Sequence, residues 1–400
     1  MKGTLLTFLR NAELFTPAPH GRRDLVVGGG RILAIGGAGE SLPRPPECYV
    51  AEDLDLGGRT VIPGLIDAHV HVTGGGGESG FASRVPPIMM GTLARAGVTS
   101  VVGLLGTDTT TRTIADLVAR TLGLREEGVS AWCYTGGYQV PPRTLTGSVR
   151  DDIVFVDPII GVGELAISDH RSSQPTLDEL LRVAADCHVA GLTTGKAGIV
   201  HLHLGDGARG LDLVRRALAT SELPARVFQP THVNRNRRVF DEAVALATDR
   251  GVPIDVTAFE GGDDGWDAAE AIARCLASPG FPVTRLTCSS DGAGCLPVFD
   301  ADGRLVEMDV GRPETLLATL AELRAAGHAL ATVLPVFTAN VAAQLRLATK
   351  GCLEVGRDAD LVILDEQFAA TGVMAGGRWL FRDGVQMKYG MFERAAGRRS

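Results

Sequence analysis

The chain has 400 residues, more than one ordinary domain of about 150 but enough for a barrel of roughly 250 with a smaller partner. Apolar residues at 45% and charged residues at 22% describe a chain able to bury a sizeable core, and exclude wholesale disorder. The 47 acids outnumber the 39 bases for a net charge of -8, without a basic block, so no nucleic acid or anionic membrane is expected as a partner and small-molecule chemistry is favoured.

The opening run, MKGTLLTFLRNAELF, reaches Arg10 after a short apolar patch and has no small-residue cleavage site; neither a signal peptide nor a membrane span is expected. The first sixty residues are rich in Gly and Pro, and DLVVGGGRILAIGG has apolar pairs flanking a Gly turn. From Val61 onward eight β-type runs appear, each followed by a helical stretch: VIPGLIDAHVHV, TSVVGLLG, AWCYTGGYQV, IIGVGELAIS, IVHLHLG, RVFQPTHV, PIDVTAF and RLTCSSDG. One of the intervening helices is expected over Thr176 to Val189, opened by a Thr176/Glu179 capping box ahead of Leu177, Leu180, Leu181 and Ala184. Another is expected over Arg238 to Arg250, with Val239, Phe240, Ala243, Val244 and Ala247 on one face and Gly251 as its stop. Eight strands alternating with helices predict a (β/α)8 barrel. After a last barrel helix around Val333 to Arg346, the runs DADLVILDE and GGRWLFRDGVQMKYG are expected to join the N-terminal segment in one discontinuous small β domain, and the final RAAGRRS to fray.

The seven cysteines, Cys48, Cys133, Cys187, Cys275, Cys288, Cys295 and Cys352, are scattered, odd in number and without a C-x-x-C pair. That usage suggests reduced thiols and a cytoplasmic location.

In such a barrel the reactive side chains stand at the C-terminal strand ends. The first run ends in Asp67-Ala68-His69-Val70-His71, and alternation puts His69 and His71 on one face, where two imidazoles can bind one metal. His203, His232 and Asp291 end the fifth, sixth and eighth runs. Four histidines and a carboxylate converging on one mouth form a donor set for a borderline divalent metal, with zinc the expected ion. His201 faces the same way but deeper, as a core residue, while His20, His170, His188 and His328 fall on loops or helices with structural roles. Glu164, in the apolar run GVGELAIS, is a costly charge to bury and a candidate bridge between two metals; its alternative is a glutamate paired with an arginine.

VIPGLIDAHVH and GRDADLVILDE resemble marks of the amidohydrolase superfamily, and LLGTD, GGYQVPPRTLTGSVR, AISDHRSSQP, HLGDG, PTHVNRN and SSDGAG resemble, in order, the isoaspartyl dipeptidase family within it. The resemblance covers nearly the whole chain. It implies a (β/α)8 barrel over 63–346 and a small β-sandwich from both termini over 1–62 plus 347–400. It also implies two zinc ions and a homo-oligomer.

Carried over, His69 and His71 would bind the more buried metal, His203 and His232 the more exposed one, and Asp291 would ligate the buried metal and shuttle the proton. The family expects a carboxylated lysine as the bridge, whereas this chain has Glu164, and Lys196 lies in a loop beyond the next helix. Glutamate already carries a carboxylate, so two divalent ions bridged by Glu164 are expected, with metal positions or local backbone adjusted to its shorter side chain. A second departure is Cys295, where the family has a serine that helps hold substrate carboxylate; a thiol is the weaker donor.

The resemblance further implies a small zwitterionic dipeptide, with Glu78 on its α-amino group, Thr107 adding a hydrogen bond, and Arg171 and Arg235 on its two carboxylates. Tyr138 would polarise the carbonyl as an oxyanion donor. Taken singly, Glu78 is also consistent with a solvated loop acid, Tyr138 with a packed aromatic and either arginine with the surface. The implied reaction is hydrolysis of a β-aspartyl isopeptide bond by a metal-bound hydroxide. The competing expectations are a hydrolase of cyclic amides or N-acyl amino acids on the same centre, which would gain nothing from Glu78, and a metal-free scaffold, against which the full set of ligand types argues.

Overall fold

Gly29 and Gly30 both adopt left-handed backbone, with φ of 58° and 81°, and so close a two-residue turn of the kind that matches strand twist. The turn joins strands Pro19–Gly28 and Arg31–Ile35, which pair antiparallel from Gly28 and Arg31 to Leu25 and Ile35. The computed structural model describes residues 6–43, 51–259, 264–299 and 305–393; Cys48 and the tail RAAGRRS lie outside them.

Strand Leu6–Phe15 lies beside this hairpin and pairs in parallel with both Ala51–Asp55 and Thr60–Pro63. From the other terminus, Leu361–Leu364 pairs antiparallel with Thr60–Pro63, and Ala370–Ala375, Arg378–Arg382 and Val385–Gln386 follow outward. Among the described residues both termini thus meet in one mixed sheet of nine strands. Alternation along Leu361–Leu364 divides its side chains: Leu361 and Ile363 join Leu9, Leu14, Leu25, Ile32 and Met374 in a cluster of their own, while Val362 and Leu364 join the larger core.

The larger core surrounds parallel strands in chain order: β1 (Leu65–Val70), β2 (Val98–Gly103), β3 (Ser130–Thr135), β4 (Ile159–Ile167), β5 (Ile199–Leu204), β6 (Phe228–Thr231), β7 (Ile254–Thr257) and β8 (Leu286–Ser289). β1 to β6 form one sheet and β7 pairs with β8. Side chains join the two arcs at the β6–β7 seam, where Asn234 accepts from the Thr257 backbone N–H and donates to the Thr257 carbonyl. At the other seam the His71 backbone N–H donates to the Gly292 carbonyl at 2.8 Å, bringing the segment after β8 back to the end of β1. The mixed α/β architecture with curled parallel strands is consistent with the expected barrel.

The structure also corrects several expectations. The run VIPGLIDAHVHV is two strands in two sheets: Pro63 has no N–H to continue a ladder, and the Gly64 N–H turns to the Asp360 carbonyl. The helix expected over Val333 to Arg346 is broken into Leu330–Val333, a 3-10 turn Leu334–Phe337 and Ala339–Gln344, because Pro335 lacks a donor and the Thr338 hydroxyl donates back to the Leu334 carbonyl. The capping-box helix runs on from Leu177 to Thr194, past Val189, and the next expected helix spans Arg237–Arg250, with Leu246 more buried than Val244. A hairpin of Cys295–Phe299 and Leu305–Val310, unforeseen in sequence, follows β8.

Buried Lys350 fastens the terminal sheet to the parallel strands. Its ammonium donates to the Ser130 hydroxyl at 2.7 Å and to Asp360 at 2.6 Å, with Asp358 at 2.9 Å. Removing one member of such a set strands the remaining charges, so Lys350→Ala is expected to destabilise by about 3–5 kcal/mol, read as a lower urea midpoint. A midpoint equal to wild type would refute the clamp. Among the described residues no helix is long and apolar enough to cross a membrane, and the six described cysteines are unpaired.

Candidate active site

Five of the eight strands deliver polar side chains to one point. His69 and His71 come from the end of β1, Glu164 from β4, His203 from β5, His232 from just after β6 and Asp291 from just after β8. All six are buried. His232 and Asp291 take left-handed backbone, at φ 61° and 55°, a conformation that a non-glycine residue holds only where its surroundings fix it. Gly294 makes room beside them, since a Cβ there would lie 2.0 Å from Asp291 Oδ1.

The Glu164 carboxylate stands between the histidine pairs. Its Oε1 is 3.4 Å from His71 Nε2, and its Oε2 is 3.0 Å from His203 Nδ1, 3.4 Å from His232 Nε2 and 3.6 Å from His69 Nε2. Asp291 Oδ1 lies 3.1 Å from His71 Nε2 and 3.4 Å from His69 Nε2. Three overlapping triads, His69/His71/Glu164, His69/His232/Asp291 and Glu164/His203/His232, each bring their ligand atoms within 4.8 Å of one another.

This donor set fits divalent cations. His69 Nε2 and Asp291 Oδ1 are buried, point into the cluster and find no hydrogen-bond partner among the described residues. Burial alone would raise the Glu164 carboxyl, but His69, His203 and His232 outweigh it and hold it well below the ordinary carboxylate range; Asp291 is lowered likewise, mainly by His69. In return, burial of His71 is overcome by Asp291 and Glu164, which push it up to about 9, whereas burial takes His232 down to about 4. Two carboxylates that draw protons onto neighbouring imidazoles in a sealed pocket call for positive charge, and borderline metals with mixed nitrogen and oxygen ligands supply it.

The remaining candidates ring this cluster. The Tyr138 hydroxyl is 2.8 Å from His203 Nδ1. The Thr107 hydroxyl donates to Glu78 Oε1 at 2.8 Å, the Arg171 guanidinium lies 3.6 Å from the same oxygen, and Glu78 Oε2 is buried without a hydrogen-bond partner among the described residues. Arg235 donates to the Leu204 carbonyl at 2.9 Å and approaches His203 Nε2 at 3.4 Å. Cys295 opens the hairpin after β8, where burial and the carboxylates of Glu78 and Asp291 push its thiol up to about 12. Lys196 stays apart, its ammonium donating to the Ile153 and Val156 carbonyls.

A model of the amidohydrolase family matches residues 182–380. The β-aspartyl dipeptidase of the thermophilic, keratin-degrading Fervidobacterium islandicum AW-1, solved with the β-Asp-Leu dipeptide, is 40% identical, covers 98% of this chain and 100% of its own, and superposes with a TM-score of 0.92. The chain belongs to the amidohydrolase family. Another structure of the F. islandicum AW-1 dipeptidase is 39% identical with a TM-score of 0.87, covering 97% of this amidohydrolase and 100% of its own chain. The imidazolonepropionase of Caulobacter vibrioides is 28% identical over 89% of this chain and 92% of its own length.

Two residues of this amidohydrolase escaped the sequence reading. Asp169, just beyond β4, contacts His203 Nε2 at 3.0 Å and grips Arg171 through both of its oxygens. His201, expected as plain core, is buried as expected, but its Nε2 lies 2.8 Å from His69 Nδ1, which turns His69 Nε2 toward the cluster. The signal for Asp169 was its place two residues before Arg171 in a run already singled out; His201 shared the face of His203.

Proposed function

We propose that the chain hydrolyses the isopeptide bond of β-aspartyl dipeptides, as a metal-dependent dipeptidase of the amidohydrolase family. The observation that carries this reading is the pairing of Glu78 and Arg171 at the rim of the metal-fitting cluster, an anion and a cation set for a zwitterion. The 40% likeness to a dipeptidase solved with β-Asp-Leu supports it along the whole chain.

His69 and His71 would hold one cation together with Asp291, His203 and His232 the other, and Glu164 would bridge them in place of a carboxylated lysine; zinc suits these donors. Such cations, when bound, activate water near neutral pH and polarise the scissile carbonyl. Glu78 receives the α-amino group, held in place by Thr107, while Arg171 and Arg235 take the two carboxylates and Cys295 makes a weaker contact. The Tyr138 hydroxyl donates to the developing oxyanion. Asp291 accepts the proton of the attacking water and passes it to the leaving amine.

We further propose that residues 1–62 plus 347–400 form a β-sandwich domain around the Leu9, Leu25 and Met374 cluster, that residues 63–346 complete a (β/α)8 barrel, and that the enzyme is a cytoplasmic homo-oligomer. The scattered cysteines, unpaired among the described residues, support the location.

A cyclic-amide hydrolase is the second reading, favoured by the likeness to imidazolonepropionase. Hydrolysis of β-Asp-Leu, N-acetyl-β-Asp-Leu, α-Asp-Leu and a cyclic amide decides between them. We expect only β-Asp-Leu to be cleaved well. Equal cleavage of the acetylated dipeptide, or preference for the cyclic amide, would sink the dipeptidase reading.

A further inference from the structure

Beside the metal-fitting cluster, Asp169 joins two parts of the site that act on different things. It follows β4 directly, after Ser168 in left-handed backbone at φ 53°, and is buried. Oδ1 accepts the Arg171 backbone N–H at 2.7 Å and its Nε–H at 3.0 Å; Oδ2 accepts from Arg171 Nη2 at 2.8 Å and faces His203 Nε2 at 3.0 Å. A metal held at Nδ1 would take that nitrogen's lone pair and leave the ring proton on Nε2, where the Asp169 carboxylate is the acceptor placed to receive it. Nδ1 is the atom that faces Glu164 Oε2 at 3.0 Å.

The same carboxylate fixes Arg171. With Nε and Nη2 forked onto Asp169, the guanidinium is held over the Tyr138 ring, 5.5 Å from its centre, and beside Glu78. A forked pair loses its geometry when either half is altered, unlike a contact between point charges.

We propose that Asp169 is a positioning residue with two outputs: it sets the His203 tautomer that presents Nδ1 to a metal, and it sets the reach of Arg171 toward the substrate carboxylate. The inference rests on the dipeptidase reading, in which His203 holds metal and Arg171 holds substrate. A carboxylate serving Arg171 alone would affect substrate binding only, and one that merely stabilised the fold would leave both outputs unchanged once the protein had folded.

The test compares wild type with Asp169→Asn and Asp169→Glu in zinc affinity, by chelator competition, and in KM and kcat for β-Asp-Leu at saturating zinc. Losing a partner of a metal-bound histidine typically weakens metal binding about 10–100 fold, and Asp169→Asn should show that loss at one of two zinc equivalents. Its KM should rise about tenfold or more, with kcat changed less, and Asp169→Glu, which keeps the acceptor, should recover part of both. Wild-type zinc affinity in Asp169→Asn, or an unchanged KM, overturns the double role while leaving the dipeptidase reading intact. Wild type that fails to cleave β-Asp-Leu overturns that reading and this inference with it. A measurement without substitution covers a variant that does not fold: 15N-histidine NMR of zinc-loaded wild type should find the His203 proton on Nε2, and a proton on Nδ1 overturns the proposal.

Discussion

Glu164→Gln should lose at least one equivalent of zinc and most of the activity, the largest effect expected of any single substitution in this chain. The amide keeps the shape of the side chain but removes the negative charge that, alone among the described residues, lies within 3.6 Å of all four histidines. Two dications in a sealed pocket depend on such charge, so binding weakens far more than the loss of one neutral ligand would imply. Counting zinc per chain in both proteins checks this. Two equivalents retained in Glu164→Gln would refute the bridge, and a single equivalent in wild type would show a one-metal centre. If Glu164 is the bridge, no lysine has to acquire a carboxylate, and metal loading should also be indifferent to bicarbonate.

Tyr138→Phe is expected to reduce kcat about 100 to 1,000 fold while leaving zinc content at the wild-type value. The hydroxyl now stands 2.8 Å from His203 Nδ1, so donating to an oxyanion means giving up that bond. The ring itself packs under the Arg171 guanidinium, and Phe preserves that contact. Steady-state kinetics with β-Asp-Leu separates the two roles. A rise in KM with kcat unchanged would reduce Tyr138 to a substrate contact.

Much of the parallel core was legible because strands such as β1, β4 and β5 are buried apolar runs interrupted by a few polar residues, and burial on all sides leaves little room for other patterns. IVHLHLG and IIGVGELAIS show this: all of β5 and β4 is buried, and the polar residues within them face the cluster. The same reasoning reached His69, His71, Glu164, His203, His232 and Asp291, since a polar side chain at an apolar strand end needs a reason to be there. It failed where polarity has a local excuse. Asp169 sits in DHRSSQP, a stretch that reads as solvated loop, and only the three-dimensional approach of His203 shows its second partner. His201 is as buried as any core residue, and periodicity says nothing about which ring nitrogen meets which neighbour. In the hairpin Cys295–Phe299 with Leu305–Val310 the short run CLPVF holds Pro297, which argues against a strand, and the break at Pro335 interrupts a segment whose apolar spacing alone suggests one helix.

The pairing of Val61 with Ile363, across the whole parallel core, sets an order on biosynthesis. The parallel strands can assemble from near neighbours in sequence as the ribosome delivers them, β1 to β6 in order and β7 with β8. The terminal sheet cannot. Thr60–Pro63 leaves the ribosome well before Leu361–Leu364 and must wait with one edge open until that strand emerges. The nascent chain therefore carries an unpaired strand edge while the whole parallel core is made, which exposes this sheet to mispairing, and a truncation before Leu361 would leave that edge open for good.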